Sequence, residues 1–244
     1  MSASSAIAPL IEKMARRDVV TPQERQALAA LLGPARTVPA GKLLIEPGDR
    51  PGFSTFLVSG LCARFSLTSN GGRQLTEINV AGDFVDLHSL LMRQMDHGVL
   101  ALADCMIAPA THEDLRRLTE EHPHLTRLLW LETVVDGAIH RQWLVTMGQQ
   151  DAASRLAHLM CELYRRLEAA GLATDSGFAL PMTQADLGDV LGLTQVHVNR
   201  VLMELRRRGL LLWKAGQVTI GDWEALAALG QFDPTYLRLI REPV

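Results

Sequence analysis

Two short predicted helices with a glycine between them dominate the C-terminal part of the sequence, and few folds accommodate their spacing. Residues 183–211, TQADLGDVLGLTQVHVNRVLMELRRRGLL, predict one helix that ends at Gly192 and a second that begins at Thr194. Gly188 then falls where the helices pass closely, and Gly192 falls at a turn that needs a positive φ. The inward positions are apolar: Leu187, Leu191, Leu193, Val198 and Val201. The spacing predicts a helix-turn-helix.

The second predicted helix carries side chains that suit DNA recognition. Thr194 is a capping residue, and the free backbone amides behind it suit a phosphate. Arginine binds guanine in a bidentate manner, and asparagine or glutamine does the same to adenine. Base contacts are predicted for Gln195, His197, Asn199 and Arg200, against the alternative of an ordinary solvated face. Arg206 and Arg207 are expected at phosphates, and Thr183 and Lys214 complete the predicted set of DNA-binding residues.

The rest of the chain divides into a strand-rich front and a helical middle. Between Thr37 and Thr111, short apolar segments alternate with turn sequences such as PGDRPG and SNGG, which is typical of a sandwich or jelly roll. After the helix-turn-helix, LLLWKAGQVTI predicts a hairpin that turns at residues 214–216, which would complete a winged helix. We therefore expect an α+β fold with an N-terminal β-roll (a double-stranded β-helix or jelly roll), a long central dimerisation helix and a C-terminal winged helix-turn-helix. The expected domain boundaries are 1–124, 125–148 and 149–244.

The central helix predicted from His124 to Met147 carries an apolar seam at alternating spacings of three and four. This pattern fits either a helix packed on its own domain or a two-chain coiled coil, in which Gln142 would set the register. We favour the dimer because of the family resemblance given below. The predicted seam consists of Leu128, Leu131, Val135, Ala138, Gln142 and Val145.

Composition excludes several other classes of protein. The net charge is only −3, so a nucleic-acid surface requires a local cluster of basic residues. No apolar run approaches the roughly 20 residues of a membrane span, and the N-terminus has no signal-peptide pattern. The three cysteines form neither a CxxC pair nor an even disulfide framework. We expect a cytoplasmic protein without membrane contact, and the strands show no convergent ligand set that would indicate an enzyme.

The sequence resembles the Crp/Fnr transcription regulators over nearly its whole length. The resemblance is carried by Gly82-Asp83-Phe84 in the β-rich half, by the long central helix, and by VNRVLMELRRRGLL. It implies a homodimer that binds a palindromic operator on double-stranded DNA, with RNA polymerase as a further partner. By the family pattern, Arg200 contacts guanine, and Gln195, Val196 and Asn199 are its variable base-contacting neighbours. Val196 stands where many members carry glutamate, so we expect a different target sequence.

The same resemblance argues against two known effectors. Members that bind cyclic nucleotides carry Gly-Glu-Leu after the Gly-Asp-Phe motif, and further on an arginine that holds the phosphate. Here no arginine occupies the matching segments, and Asp86 and Asp96 would repel an anion. We therefore expect no control by cyclic AMP. An iron-sulfur cluster is excluded by the absence of cysteine from the N-terminal sequence.

Haem remains as the minority alternative, in a gas or redox sensor. His88 stands where the carbon-monoxide-sensing haem member carries its haem-ligating histidine, and a neutral imidazole can ligate haem iron. The alternative that we favour is a structural hydrogen bond between Asp86 and His88, with no metal or cofactor; an unknown small effector stays possible. His97, His140 and Arg141 complete the predicted effector pocket. Buried, unreactive thiols are expected for Cys62 and Cys105, with redox sensing as the minority alternative.

Overall fold

The computed structural model describes residues 3–244. The described chain opens with two helices, α1 (Ala3–Arg17) and α2 (Pro22–Leu31). The first turn of α2 is closed by a capping box, in which Thr21 and Glu24 exchange hydrogen bonds between side chain and backbone. The sequence Thr21-Pro22-Gln23-Glu24 is typical of such a helix start.

Between residues 36 and 111 the chain folds into the predicted β-roll. One antiparallel sheet has the order β1-β7-β3 and the other has the order β2-β6-β4-β5, with a short 3₁₀ helix at Leu87–Leu90 between β5 and β6. The inner faces of the two sheets enclose an apolar core that includes Leu57, Val99 and Ile107. The strands are β1 (Arg36–Val38), β2 (Leu43–Ile45), β3 (Phe53–Ser59), β4 (Leu61–Leu67), β5 (Arg73–Val80), β6 (Gly98–Ala101) and β7 (Cys105–Thr111).

Three consecutive helices within residues 112–169 connect the β-roll to the C-terminal part: α3 (His112–Glu121), α4 (Pro123–Gln149) and α5 (Ala152–Ala169). The long helix α4 contributes to both major cores of the chain. Its first half buries Leu125 and Leu128 against the β-roll and α3, and its second half buries Ile139 and Trp143 against α5. Because both ends are fixed by burial in the same chain, the orientation of α4 about its own axis is fixed as well.

The C-terminal part forms the predicted winged helix. Helices α6 (Gln184–Leu191) and α7 (Gln195–Arg207) are followed by the hairpin of β10 (Leu211–Lys214) and β11 (Gln217–Ile220). That hairpin belongs to a sheet of order β10-β11-β9-β8, whose other strands are β8 (Ala173–Thr174) and β9 (Gly177–Ala179). The chain ends with α8 (Trp223–Gly230) and a 3₁₀ helix at Pro234–Leu237. None of the helices between residues 3 and 244 combines the length and apolar character needed to cross a membrane.

A buried ion network joins the β-roll to the helices around it. Lys13 Nζ of α1 lies 2.6 Å from Asp83 Oδ1 and 3.0 Å from Glu132 Oε2 of α4. The second oxygen of Asp83 accepts from Arg166 of α5 at 3.0 Å. Asp83 belongs to the Gly-Asp-Phe motif, so this motif connects the β-roll to α5, which precedes the winged helix. Sequence spacing gave no indication of these contacts.

Candidate nucleic-acid interface and sensor interior

The geometry of the helix-turn-helix follows from its two glycines. A Cβ at Gly188 would lie 2.6 Å from the carbonyl oxygen of Leu193, which no side chain tolerates. Gly192 ends α6 with φ +65°, a conformation that favours glycine. Leu187, Leu191, Val198 and Val201 are buried between the helices, and Leu193 is half-buried. The predicted frame is confirmed at each of these positions.

Helix α7 presents the predicted base-contacting side chains to solvent. Gln195, Asn199 and Arg200 are exposed, His197 is half-buried, and Val196 is 82% exposed. Asn199 Nδ2 lies 3.4 Å from Gln184 Oε1 of α6. Within the described residues, the Arg200 side chain has no hydrogen bond or ion pair, so its guanidinium is available to an external acceptor.

The predicted phosphate-contacting residues surround this face. Thr194 Oγ1 accepts from the His197 amide at 3.3 Å and so caps α7. Arg206 and Arg207 are exposed at the other end of α7, and no ion partner for either lies among residues 3–244. Thr183 is exposed and caps α6, and Lys214 is exposed beside the hairpin turn, where Ala215 and Gly216 adopt positive φ. The structure therefore leaves the predicted DNA-binding residues exposed to solvent, except for the half-buried His197.

The interior of the β-roll is organised around Arg64 of β4. Its guanidinium donates to the Val85 carbonyl oxygen at 2.8 Å, to Glu77 at 2.5 Å and to Asp136 of α4 at 3.1 Å. His140 Nε2, also on α4, lies 3.3 Å from the same Glu77 carboxylate. Sequence reasoning placed His140 in this region but missed Arg64, since an arginine in a strand carries no signal of burial.

Asp86 and His88 do not form the predicted hydrogen-bonded pair, and that part of the prediction is wrong. Asp86 is fully buried and accepts from the Thr55 amide, because the backbone of β3 is closer to it than the imidazole is. Burial raises the pKa of Asp86 to about 7, against the opposing effects of the Thr55 amide and Arg64. Its second oxygen and His88 Nε2 are both buried without a hydrogen-bond partner among the described residues.

The other predicted effector residues fall into two groups: histidines that are half-buried, and Arg141, which is exposed on α4. The rings of His88 and His97 lie with their centroids 5.0 Å apart and are tilted by 41°, and His97 Nδ1 lies 2.6 Å from Asp96 Oδ1. Burial, and then the charge of Arg64, lowers the pKa of His88 to about 3, so its imidazole is neutral. Arg141, however, is exposed on the outer side of α4. Its place in an effector pocket stays a prediction, since within the described chain it contacts neither His88 nor His97.

An apolar cavity of about 480 Å³ lies between the 3₁₀ helix at Leu87–Leu90, α3 and α4. His88 is among its lining residues, which are otherwise mostly apolar and include Leu87, Leu115, Leu129 and Trp130. Its volume is in the range of small-molecule sites. Sequence reasoning found His88 but not this cavity, because its walls come from three separate elements.

The predicted seam of α4 is only partly available to a second chain. Leu128 and Val135 are buried within their own chain, and Leu131, Ala138 and Gln142 are half-buried. For Leu128 and Val135 the seam prediction is corrected, because the β-roll and α5 already cover them. The apolar residues of α4 that are exposed form a neighbouring strip, here named the outer stripe: Trp130, Val134, Leu144 and Val145, of which Trp130 is 69% and Leu144 75% exposed.

Comparison with known proteins matches both halves of the chain. Residues 35–122 match the family model of the cyclic nucleotide-binding domain, and residues 154–229 match that of the Crp-like helix-turn-helix domain. The fumarate and nitrate reduction regulatory protein of Salmonella typhimurium is 28% identical over 196 residues, which cover 80% of this chain and 77% of that protein. The anaerobic regulatory protein of Pasteurella multocida is 24% identical over 217 residues, covering 89% of this chain and 79% of that protein.

Among solved structures, FixK2 from Bradyrhizobium japonicum superposes with a TM-score of 0.72 at 24% identity. The superposition covers 80% of this chain and 96% of that chain. At this level of identity the likeness supports the arrangement of β-roll, central helix and winged helix.

Proposed function

The chain belongs to the Crp/Fnr family of transcription regulators, and on this premise we propose that it binds a two-fold symmetric DNA site as a homodimer, without control by cyclic AMP. The observation that carries the proposal is the exposed face of α7, where Arg200 has no partner in the described part of the chain. An arginine with a free guanidinium at this place in a helix-turn-helix suits guanine in the major groove.

The proposed contacts divide into base recognition and phosphate binding. Arg200, Asn199 and Gln195 would contact base edges, and the exposed methyl groups of Val196 suit the C5 methyl of thymine. Arg206, Arg207 and Lys214, together with the capped helix starts at Thr183 and Thr194, would hold the phosphates on either side.

The proposed homodimer uses the outer stripe of α4. Trp130 and Leu144 are largely exposed in the single chain. A second copy of the helix that covers them would remove their apolar surface from water, which stabilises the dimer. Two copies of α7 would then be held at a fixed separation, which suits successive major grooves about 34 Å apart. RNA polymerase would be the partner of the DNA-bound dimer.

Independence from cyclic AMP is supported by the charges inside the chain. Each buried lysine or arginine among the described residues already has a carboxylate partner: Lys13 and Arg166 with Asp83, Arg17 with Glu132, and Arg64 with Glu77. A cyclic phosphate would have to displace one of these carboxylates, and the buried carboxyl group of Asp86 would also oppose the binding of an anion.

We expect calorimetry to detect no tight binding of cyclic AMP or cyclic GMP, and neither nucleotide to change the affinity for DNA. Micromolar binding would contradict this part of the proposal.

Selection of duplexes from a random pool, followed by sequencing, tests the main proposal. The wild-type protein should select a palindrome, whose half-site centres lie about one helical turn apart. The Arg200→Ala variant serves as the matched control and should lose preference at one base pair in each half-site. A consensus without two-fold symmetry, or no enrichment at all, would overturn the proposal.

A haem-based sensor is the second candidate function, and the apolar cavity beside His88 favours it. The His88 imidazole is neutral, and its Nε2 is buried without a protein partner in the described chain, as an axial ligand requires. Bound haem would supply a gas-binding or redox-active iron, and His88 would hold it while the apolar walls exclude water. Purified protein titrated with haem should then show a Soret band that is lost in His88→Ala. An unchanged spectrum in that variant would remove this candidate.

A further inference from the structure

Cys62 and Cys105 are distant in the sequence but adjacent in the fold. Cys62 lies on β4 and Cys105 is the first residue of β7, so they belong to different sheets of the β-roll. Their Sγ atoms are 3.7 Å apart, and both side chains are buried. A disulfide holds its sulfurs about 2.05 Å apart. The remaining gap is small enough to close through movements of the two side chains.

The backbone beside the pair keeps the two sulfurs together. The Leu61 carbonyl oxygen, next to Cys62, accepts from the Leu102 amide at 2.8 Å, in the turn that leads to Cys105. Cys105 Sγ lies 3.3 Å from that same oxygen and 3.1 Å from the carbonyl oxygen of Ala103. Asp104, directly before Cys105, is exposed. The pair is thus buried directly beside an exposed turn.

We propose that Cys62 and Cys105 form a reversible intramolecular disulfide on reaction with a peroxide, which makes this corner of the β-roll a redox-sensitive site. In the first step the Cys105 sulfur attacks the peroxide, the O–O bond breaks, and Cys105 becomes a sulfenic acid as water or an alcohol leaves. In the second step the Cys62 sulfur attacks the Cys105 sulfur and the S–O bond breaks. The departing hydroxyl takes the Cys62 proton and leaves as water. Two thiols lose two electrons, and the peroxide gains them.

Its position distinguishes Cys105 as the attacking residue, because it begins β7 directly after the exposed Asp104, whereas Cys62 lies within β4. The hydrogen bond from Cys62 lowers the pKa of Cys105 to about 7, and the same contact raises the pKa of Cys62. The thiolate is the reactive form of cysteine, so Cys105 reacts first. Cys161 lies apart from this pair on α5, and its burial raises its pKa to about 12. It provides an internal comparison for a buried thiol without such a neighbour.

A bond between these cysteines would act on a strand that contacts the central helix. Cys62 is two residues from Arg64 on β4, and Arg64 holds Asp136 of α4. A covalent link from β4 to β7 therefore changes the strand that fixes Arg64. We expect the oxidised protein to differ from the reduced protein in its affinity for DNA.

The test uses the purified full-length protein and hydrogen peroxide. After an acid quench, the denatured protein is alkylated, and its intact mass and its peptides are measured. We expect the wild type to lose two alkylatable thiols and to yield a cross-linked peptide pair containing Cys62 and Cys105, both reversed by a dithiol reductant. The Cys161→Ser control should behave in the same way, and the rate should rise as the pH rises through about 7.

Single substitutions assign the steps. Cys62→Ser should leave a sulfenic acid on Cys105 that dimedone traps, and Cys105→Ser should give no cross-link. The proposal fails if both cysteines of the wild type can still be alkylated after peroxide treatment. It fails as well if the peroxide product is a sulfinic acid on Cys105 while Cys62 remains a free thiol. It also fails if peroxide consumes the two thiols only after a chelator has removed a soft metal ion, since the pair would then be a metal site. Each of these outcomes is independent of whether the DNA proposal holds.

Discussion

Arg200 and Arg207 lie on the same side of α7, seven residues apart, yet their expected contacts differ. Arg200 is near the N-terminal end, which enters the major groove in a helix-turn-helix, and Arg207 is at the other end, where we expect a phosphate contact. Arg200→Ala should weaken binding to the preferred site by about 1–3 kcal/mol and relax selectivity at one base pair per half-site. Fluorescence anisotropy on matched and mismatched duplexes measures both effects.

Arg207→Ala is the matched control for that substitution. Loss of a phosphate contact should weaken all duplexes alike and reduce the slope of log K against log salt by about one per subunit. If Arg200→Ala behaved in the same uniform way, α7 would not be placed in the groove as proposed.

Asp86 should make the stability of the protein depend on pH. Burial raises its pKa to about 7, whereas an unfolded aspartate has a pKa of about 3.9. Between these values the folded state holds a proton that the unfolded state releases, so this group makes the free energy of unfolding fall as the pH rises from about 4 to about 7. The slope can reach on the order of 1.4 kcal/mol per pH unit.

Asp86→Asn removes the titration and keeps an oxygen that can accept from the Thr55 amide. Urea unfolding at several pH values should therefore show a flatter profile for the variant and a gain in relative stability at neutral pH. Parallel profiles for the two proteins would mean that Asp86 is ionised throughout.

At the scale of the elements, α4 presents two apolar faces that have different partners. One face is buried in its own chain through Leu128, Val135 and Ile139, and the other carries the outer stripe. A charge on the first face would be buried without a partner and would unfold the monomer. A charge on the second face is solvated in the monomer and becomes costly only when a second chain covers it.

Combined substitution of Trp130 and Leu144 by glutamate should therefore give folded monomers. Sedimentation should show the wild type as a dimer and the double variant as a monomer with unchanged helical content. Leu67→Glu, which charges an exposed apolar residue at the end of β4, is the control and should stay dimeric. A dimeric double variant would place the interface elsewhere.

At the scale of the whole molecule, the tip of the β-roll is docked on the helix-turn-helix. Arg73 at the start of β5 donates to Asp189 at 2.7 Å and to Asp186 at 2.8 Å, both on α6. The Gln74 side chain donates to the Asp189 carbonyl oxygen at 2.7 Å. These contacts join the β-roll to the first helix of the helix-turn-helix.

Arg73→Ala should loosen this docking without unfolding the protein, because the arginine is partly exposed and the apolar cluster shared by β5 and α6 stays intact. Hydrogen exchange in α6 should become faster, and the affinity for DNA should change. Arg93→Ala, an exposed arginine of the β-roll that faces no ion partner in the described chain, is the control. Unchanged exchange in α6 would show that the contact does not restrain the winged helix.

Local signals in the sequence were sufficient for the elements and for the DNA-binding surface. The positive φ of Gly192 and the capping by Thr21 and Thr194 depend on residues a few positions apart, so their chemistry can be recognised without the fold. The same holds for the exposed face of α7, because helical spacing alone places Gln195, Asn199 and Arg200 on one side.

Packing between segments that are distant in the sequence determined which side chains are buried and which of them contact each other. An apolar stripe on α4 looks the same in sequence whether it is covered by its own β-roll or by a second chain, so the predicted seam included Leu128 and Val135, which lie inside. The meeting of Cys62 with Cys105 and the burial of Arg64 among carboxylates involve strands far apart along the chain. Periodicity contains no information on such contacts, because they arise only when the two sheets close around a shared interior.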